Sequence, residues 1–103
     1  MTKGARSVRL RDVAGFFRDL GADVSCLTET GRSHRKVNIY GNGGKVVGEV
    51  VISKKHGTSE VLVPFLYKIL DGIIHHRLGY EPGTPEFATA RADYRHRLYR
   101  ELR

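Results

Sequence analysis

Two histidines in basic, glycine-flanked stretches are the residues of this chain best equipped for chemistry. His34 closes Gly31-Arg32-Ser33-His34 and is followed at once by Arg35 and Lys36, while His56 stands in Lys54-Lys55-His56-Gly57. Imidazole both accepts and gives up a proton near neutral pH. Cleaving RNA without a metal needs a base for the 2′-hydroxyl and an acid for the departing 5′-oxygen. It also needs cations where charge builds on the phosphorus. These residue types supply phosphate holding as readily as cleavage, and a histidine beside a basic turn is more commonly an ordinary surface residue. The pair marks a candidate rim whose chemistry residue types leave open.

The charge balance points to the same class of partner. The chain has 103 residues, 18 Lys+Arg against 11 Asp+Glu, and a net charge of +7. The excess is uneven: residues 1–20 carry five basic and two acidic side chains and residues 31–60 six and two, whereas 61–84 are balanced. Such a surface suits polyphosphates, RNA or DNA, although many small basic proteins carry charge only for solubility. No run of about 18 apolar residues is present and no basic helix has a broad apolar face, so no membrane partner is expected. The first residues lack the apolar core of a secretory signal, and a cytoplasmic location is the expectation. The lone Cys26 has no partner for a disulfide or a thiolate metal site and reads as a core residue of a strand.

The elements that must position the two histidines follow from periodicity. Residues 11–20 place Val13, Phe16, Phe17 and Leu20 on one helical face, with Asp12 near the start and Gly21 as the stop. Residues 22–28 alternate as a short strand, and so do Ser33–Tyr40. Gly41-Asn42-Gly43-Gly44 is a hairpin signal, and residues 45–53 are the β-branched return strand, with Gly48 a candidate bulge. That hairpin sets position 34 opposite about position 52, at the end of the sheet from which the 54–60 loop departs. A second helix starts at Pro64 and ends at Gly79, with Phe65, Leu66, Ile69, Leu70, Ile73 and Ile74 on one stripe. A third starts at Pro85, capped by Thr84. The expected fold is an α+β layer, α-β-β-β-α, whose three-stranded antiparallel sheet has two helices on one face, plus an extra C-terminal helix. Residues 1–79 form the domain. Residues 80–103 form a linker and a helix that packs on it or builds a homodimer.

The order of these segments resembles the HicA-type toxins, small RNA-cleaving proteins. Gly31-Arg32-Ser33-His34 matches their Gly-x-Ser-His stretch, Lys54-Lys55-His56-Gly57 their second His-Gly, and Lys68-Ile69-Leu70 their closing helix, over roughly residues 11–74. The resemblance implies a double-stranded-RNA-binding-domain-like fold and a metal-independent ribonuclease (an mRNA interferase), with no cofactor. His34 would be the catalytic residue, with His56 a second acid/base or substrate contact. Ser33 would stand near the scissile phosphate, and Arg32, Arg35 and Lys36, joined by Lys45, Lys54 and Lys55, would hold the backbone. A HicB-type antitoxin would cover the site. Three features depart from the family pattern: Ser53 and Lys54 stand where a proline is usual, the hairpin is longer, and residues 80–103 have no counterpart. These departures favour the rival of a non-catalytic nucleic-acid-binding module, a phage-encoded or accessory regulator.

Other constellations carry less. His75 and His76 project roughly 100° apart on a helix and with His96 make a poor zinc set. They suit the C-terminal end of the helix dipole instead, so no metal site is expected. Gly41–Gly44 lacks the Gly-Lys-Ser/Thr ending of a phosphate-binding loop. The arginine-rich tail reads better as an amphipathic helix docked on the core or on a second copy than as a nucleic-acid contact.

Overall fold

The computed structural model describes residues 6–28, 34–53 and 60–103. Its elements, in chain order, are β1 (Ser7–Arg9), α1 (Ala14–Asp19), β2 (Ala22–Asp23), β3 (His34–Tyr40), β4 (Val46–Ser53), β5 (Glu60–Leu62), α2 (Val63–Gly72) and α3 (Pro85–Glu101). The result is an α+β fold with a three-stranded antiparallel sheet, ordered β2-β3-β4, and three helices.

The hairpin forms as its glycines require. Gly44 takes a φ of +82°, and the turn is closed by the Gly41 amide on the Lys45 carbonyl and the Gly44 amide on the Gly41 carbonyl. The register pairs His34 with Ser53, one position from the expectation, and Val37 with Val50. The ladder then slips: Ile39 pairs with Gly48 but Tyr40 with Val46, so the bulge falls at Val47, beside Gly48. Strand alternation sorts the side chains. Arg35, Val37 and Ile39 of β3 and Val50 and Ile52 of β4 are buried against the helices, while His34, Lys36, Glu49, Val51 and Ser53 are exposed.

The strand expected at 22–28 shrinks to two residues. The Asp23 carboxylate accepts a hydrogen bond from the Ser25 amide at 2.9 Å, an Asx turn that diverts the backbone into a 3-10 turn at Ser25–Thr28. Cys26 is accordingly half-buried rather than a strand core residue, and its Sγ donates to the Lys36 carbonyl at 3.0 Å. The first helix is also shorter than 11–20, because a 3-10 turn at Leu10–Asp12 precedes it. Its inward face is as expected, with Val13 and Phe17 buried and Phe16 and Leu20 packed at the core edge. A two-stranded antiparallel ribbon, β1 with β5, was not foreseen. Each strand is three residues long, too short to show a period, yet Val8 and Val61 pair across it and both are buried.

The stripe of α2 forms the main core, with Leu66, Ile69, Leu70, Ile73 and Ile74 fully buried. Past Gly72 the helix widens into a π-helical turn at Ile73–Arg77, closed by the Leu78 amide on the Ile73 carbonyl. Thr84 caps α3 by accepting the Phe87 amide at 3.2 Å, and Pro85 occupies its first turn. The tail helix lies on α2: Leu98 enters the core cluster, and the Arg95 guanidinium sits 4.2 Å from the Tyr67 ring centroid. Arg91 faces Asp71 at 3.9 Å, and Arg97 pairs with Asp93 at 2.9 Å. Three of the tail arginines are thus engaged in docking or within the helix itself.

Two glycines separate local preference from packing. A β-carbon at Gly15 would meet only the far end of Arg18 at 3.6 Å, so Gly15→Ala is expected to raise unfolding stability by about 0.5–1 kcal/mol. Gly72 lies where α2 crosses β4, and a β-carbon there would collide with the Val50 side chain. Gly72→Ala is expected to lose about 1–3 kcal/mol despite the better helix former. Urea unfolding of both variants checks this, and equal shifts would mean that α2 does not approach the sheet this closely.

Candidate functional site

The exposed face of the β3–β4 ladder holds His34 at its entrance. Because His34 opens the outward-facing series of β3, it stands directly across from Ser53, with Lys36 across from Val51 and Asn38 across from Glu49. The Lys36 ammonium reaches diagonally to the Glu49 carboxylate at 4.0 Å, with both side chains largely in water. Such an exposed pair is worth about 0–1 kcal/mol, so a phosphate can displace Glu49 from Lys36 at little cost.

Arg35 corrects the expectation that it would hold a nucleic-acid backbone. It alternates inward, is only 6% exposed, and is the buried charged residue of the described chain. Its guanidinium donates from Nε to the Cys26 carbonyl at 3.1 Å and from Nη1 to the His34 carbonyl at 3.2 Å. The arginine therefore ties the 3-10 turn at Ser25–Thr28 to the start of β3, directly behind His34. Burying a guanidinium is tolerated because two of its donors meet backbone carbonyls.

Lys45 is exposed but lies at the wrong end of the sheet. It flanks the hairpin beside Gly41, whereas His34 is six residues back along β3, roughly 20 Å at about 3.3 Å per residue. The structure therefore brings His34, Lys36 and Ser53 to one rim and leaves Lys45 at the other. Arg32, Ser33, Lys54, Lys55 and His56 lie outside the described residues. Ser53, the last residue of β4, is His34's partner, so β4 ends at the His34 end of the ladder.

The hairpin end carries an arrangement that sequence reasoning missed. The π-helical turn places Arg77 on the hairpin, where its guanidinium donates to the Tyr40 carbonyl and to Asn42 Oδ1. Gly21, at φ +98°, lies directly under this arginine; a β-carbon there would strike both Arg77 and the Tyr40 carbonyl. His75 and His76 lie in the last helical turn, the basic end expected of them, and each also makes a specific contact. His75 Nδ1 bonds to the Tyr80 carbonyl at 3.0 Å, and the His76 ring lies over Gly48. No sequence period announces the contacts of Arg77 and His76, since they join residues roughly thirty to sixty positions apart through a helical register that the π turn creates.

Among the described residues no group of three or more His, Cys, Asp and Glu side chains could hold a metal ion. No helix of the described chain is long and apolar enough to cross a membrane. No family model, curated protein or solved structure matches this chain.

The two neighbouring cations are distinguishable by what their loss does. Arg35→Ala removes two hydrogen bonds and a buried side chain and is expected to lower unfolding stability by about 1–3 kcal/mol. Lys36→Ala should stay within about 0.5 kcal/mol of the parent. Denaturant midpoints read both, and an Arg35→Ala protein as stable as the parent would return that side chain to the surface.

Proposed function

We propose that this protein binds RNA across the exposed face of the β3–β4 ladder and that His34 acts there as a general acid/base in metal-independent cleavage. The observation that supports the reading best is the place of His34: on the water-facing side of the ladder, opposite Ser53, two residues from the exposed Lys36. An imidazole in that position meets a phosphodiester laid across the sheet, with the Lys36 ammonium beside the phosphate oxygens. His34 would take the 2′-hydroxyl proton, and the attacking oxygen would displace the 5′-oxygen at phosphorus. Departure of the 5′-oxygen requires a proton from a second group, and His56 is the proposed donor. The net charge of +7 draws the polyanion to the surface.

The sheet with helices on one side is compatible with a double-stranded-RNA-binding-domain-like layer, and with it the HicA-type resemblance. On that reading the protein is the toxin of a toxin–antitoxin pair, and a HicB-type antitoxin covers the face that bears His34. The rival, a nucleic-acid-binding module without catalysis, draws on one specific observation: Arg35 faces the core and Lys36 meets Glu49, so the described rim offers less positive charge than the residue types suggested.

Incubation of the purified protein with RNA in EDTA, beside a His34→Ala variant, separates the two. Cleavage by general acid–base catalysis predicts RNA decay in the parent and a loss of about 100-fold or more in the variant. Salt-dependent binding that persists in His34→Ala, with no decay in either protein, would leave the binding module. Equal decay in both would remove His34 from the chemistry.

A further inference from the structure

The hairpin end of the molecule holds a groove of about 550 Å³ that the cleavage reading does not use. Its floor is apolar, made by Ala14 of α1, Ala22 of β2 and Val24. Its polar rim consists of Arg18, Asp23, Tyr40 and Arg77, with Ser25 beside Asp23. The volume lies within the range of small-ligand sites, roughly 300–1,000 Å³.

The charges of this rim are not cancelled internally. Arg18 is exposed and makes no ion pair among the described residues. Arg77 is held by two neutral oxygens, the Tyr40 carbonyl and Asn42 Oδ1. Those bonds fix its position without neutralising it and leave other guanidinium N–H groups for a ligand. Asp23 is the carboxylate of the rim. The hydroxyl and the amide of Ser25 both hydrogen-bond to it and hold its pKa below the usual value, so it is charged at neutral pH. A ligand that satisfies all of this has an anionic end for the arginines, hydroxyls for the carboxylate and a flat apolar body for the floor.

We propose that this groove binds a ribonucleoside 5′-phosphate unit, with the phosphate on Arg18 and Arg77, the ribose hydroxyls on Asp23, and the base on the floor beside Tyr40. The unit is either a free mononucleotide or the 5′-terminal nucleotide of an RNA strand. The second source rests on the RNA-binding reading; the first does not. Carboxylates recognise ribose hydroxyls and arginines recognise phosphate, while the π-faces of bases pack on apolar and aromatic surfaces. The groove lies at the far end of β3 from His34, so the two sites are separate.

The test is an amide-shift titration of the full chain with AMP, dAMP and inorganic phosphate. AMP is expected to move the amides of Ala14, Ala22 and Asp23. Arg18→Glu, a change at an exposed position, should weaken AMP at least tenfold. dAMP should bind several-fold more weakly than AMP in the parent, and Asp23→Asn, which keeps the acceptor for the Ser25 amide, should narrow that difference. Inorganic phosphate alone should leave Ala14 and Ala22 unmoved. A short oligoribonucleotide with and without a 5′-phosphate then distinguishes the sources: a preference for the phosphorylated strand that Arg18→Glu abolishes identifies the strand end, and AMP binding without it identifies the free nucleotide. No AMP-dependent shifts in the groove, or shifts unchanged in Arg18→Glu, overturn the proposal. His34→Ala is expected to bind AMP as the parent does, so failure of the cleavage reading and failure of this one are read independently.

Discussion

Pairing of His34 with Ser53 and of Val37 with Val50 sends every second side chain of the β3–β4 ladder toward the helices and the others into water. A slip of one residue would exchange the two sets, putting Val37, Ile39 and Ile52 in solvent and His34 and Lys36 in the core. The register is held from two directions. The glycine hairpin sets it at one end, and Arg77 reaches from the π-helical turn to grip the Tyr40 carbonyl and Asn42 at that same end. Burial of Val50 against Gly72 rejects the alternatives from behind.

Arg35 shows how the covered face supports the open one. Its guanidinium ties the carbonyls of Cys26 and His34 together, and Cys26 in turn donates to the Lys36 carbonyl. The backbone from His34 to Lys36 is thereby fastened to the turn at Ser25–Thr28. A rigid backbone under an exposed imidazole is what a site requires if its geometry is to be held to fractions of an ångström. The arginine acts here by position and not by contact with a ligand, so the charge excess of the chain overstates the charge of the rim.

The tail helix illustrates a different economy of arginine. Arg95 over Tyr67 and Arg91 facing Asp71 lay their aliphatic stems along α2, while Leu98 fills the core. A helix with so polar a sequence would be marginal alone. It is held by Leu98, Tyr94 and Leu102 against the core, by buried Phe87, and by Arg95 stacked over Tyr67.

Much of this was legible from residue order. The period of α2 gave its buried stripe, Pro85 and Thr84 gave the start of α3, and Gly41–Gly44 gave the hairpin, because propensity, capping and positive-φ turns act within a few residues. The alternation of β3 was legible as well, and it already placed position 35 opposite in sense to 34 and 36. Arg35 follows that alternation into the core despite its charge. The strand at 22–28 failed for a local reason that outweighs alternation, the Asx turn of Asp23. The β1–β5 ribbon, the Arg77 clamp and the groove beside Gly21 could not be read at all. They join residues separated by roughly thirty-five to sixty positions, and their stability comes from packing that exists only once the helices are laid on the sheet. Sequence alone determined where the three helices and the β3–β4 hairpin lie and which face of each is apolar. Tertiary structure decided which cations reach solvent and which are spent holding the backbone, because burial is a property of neighbours and not of residue type.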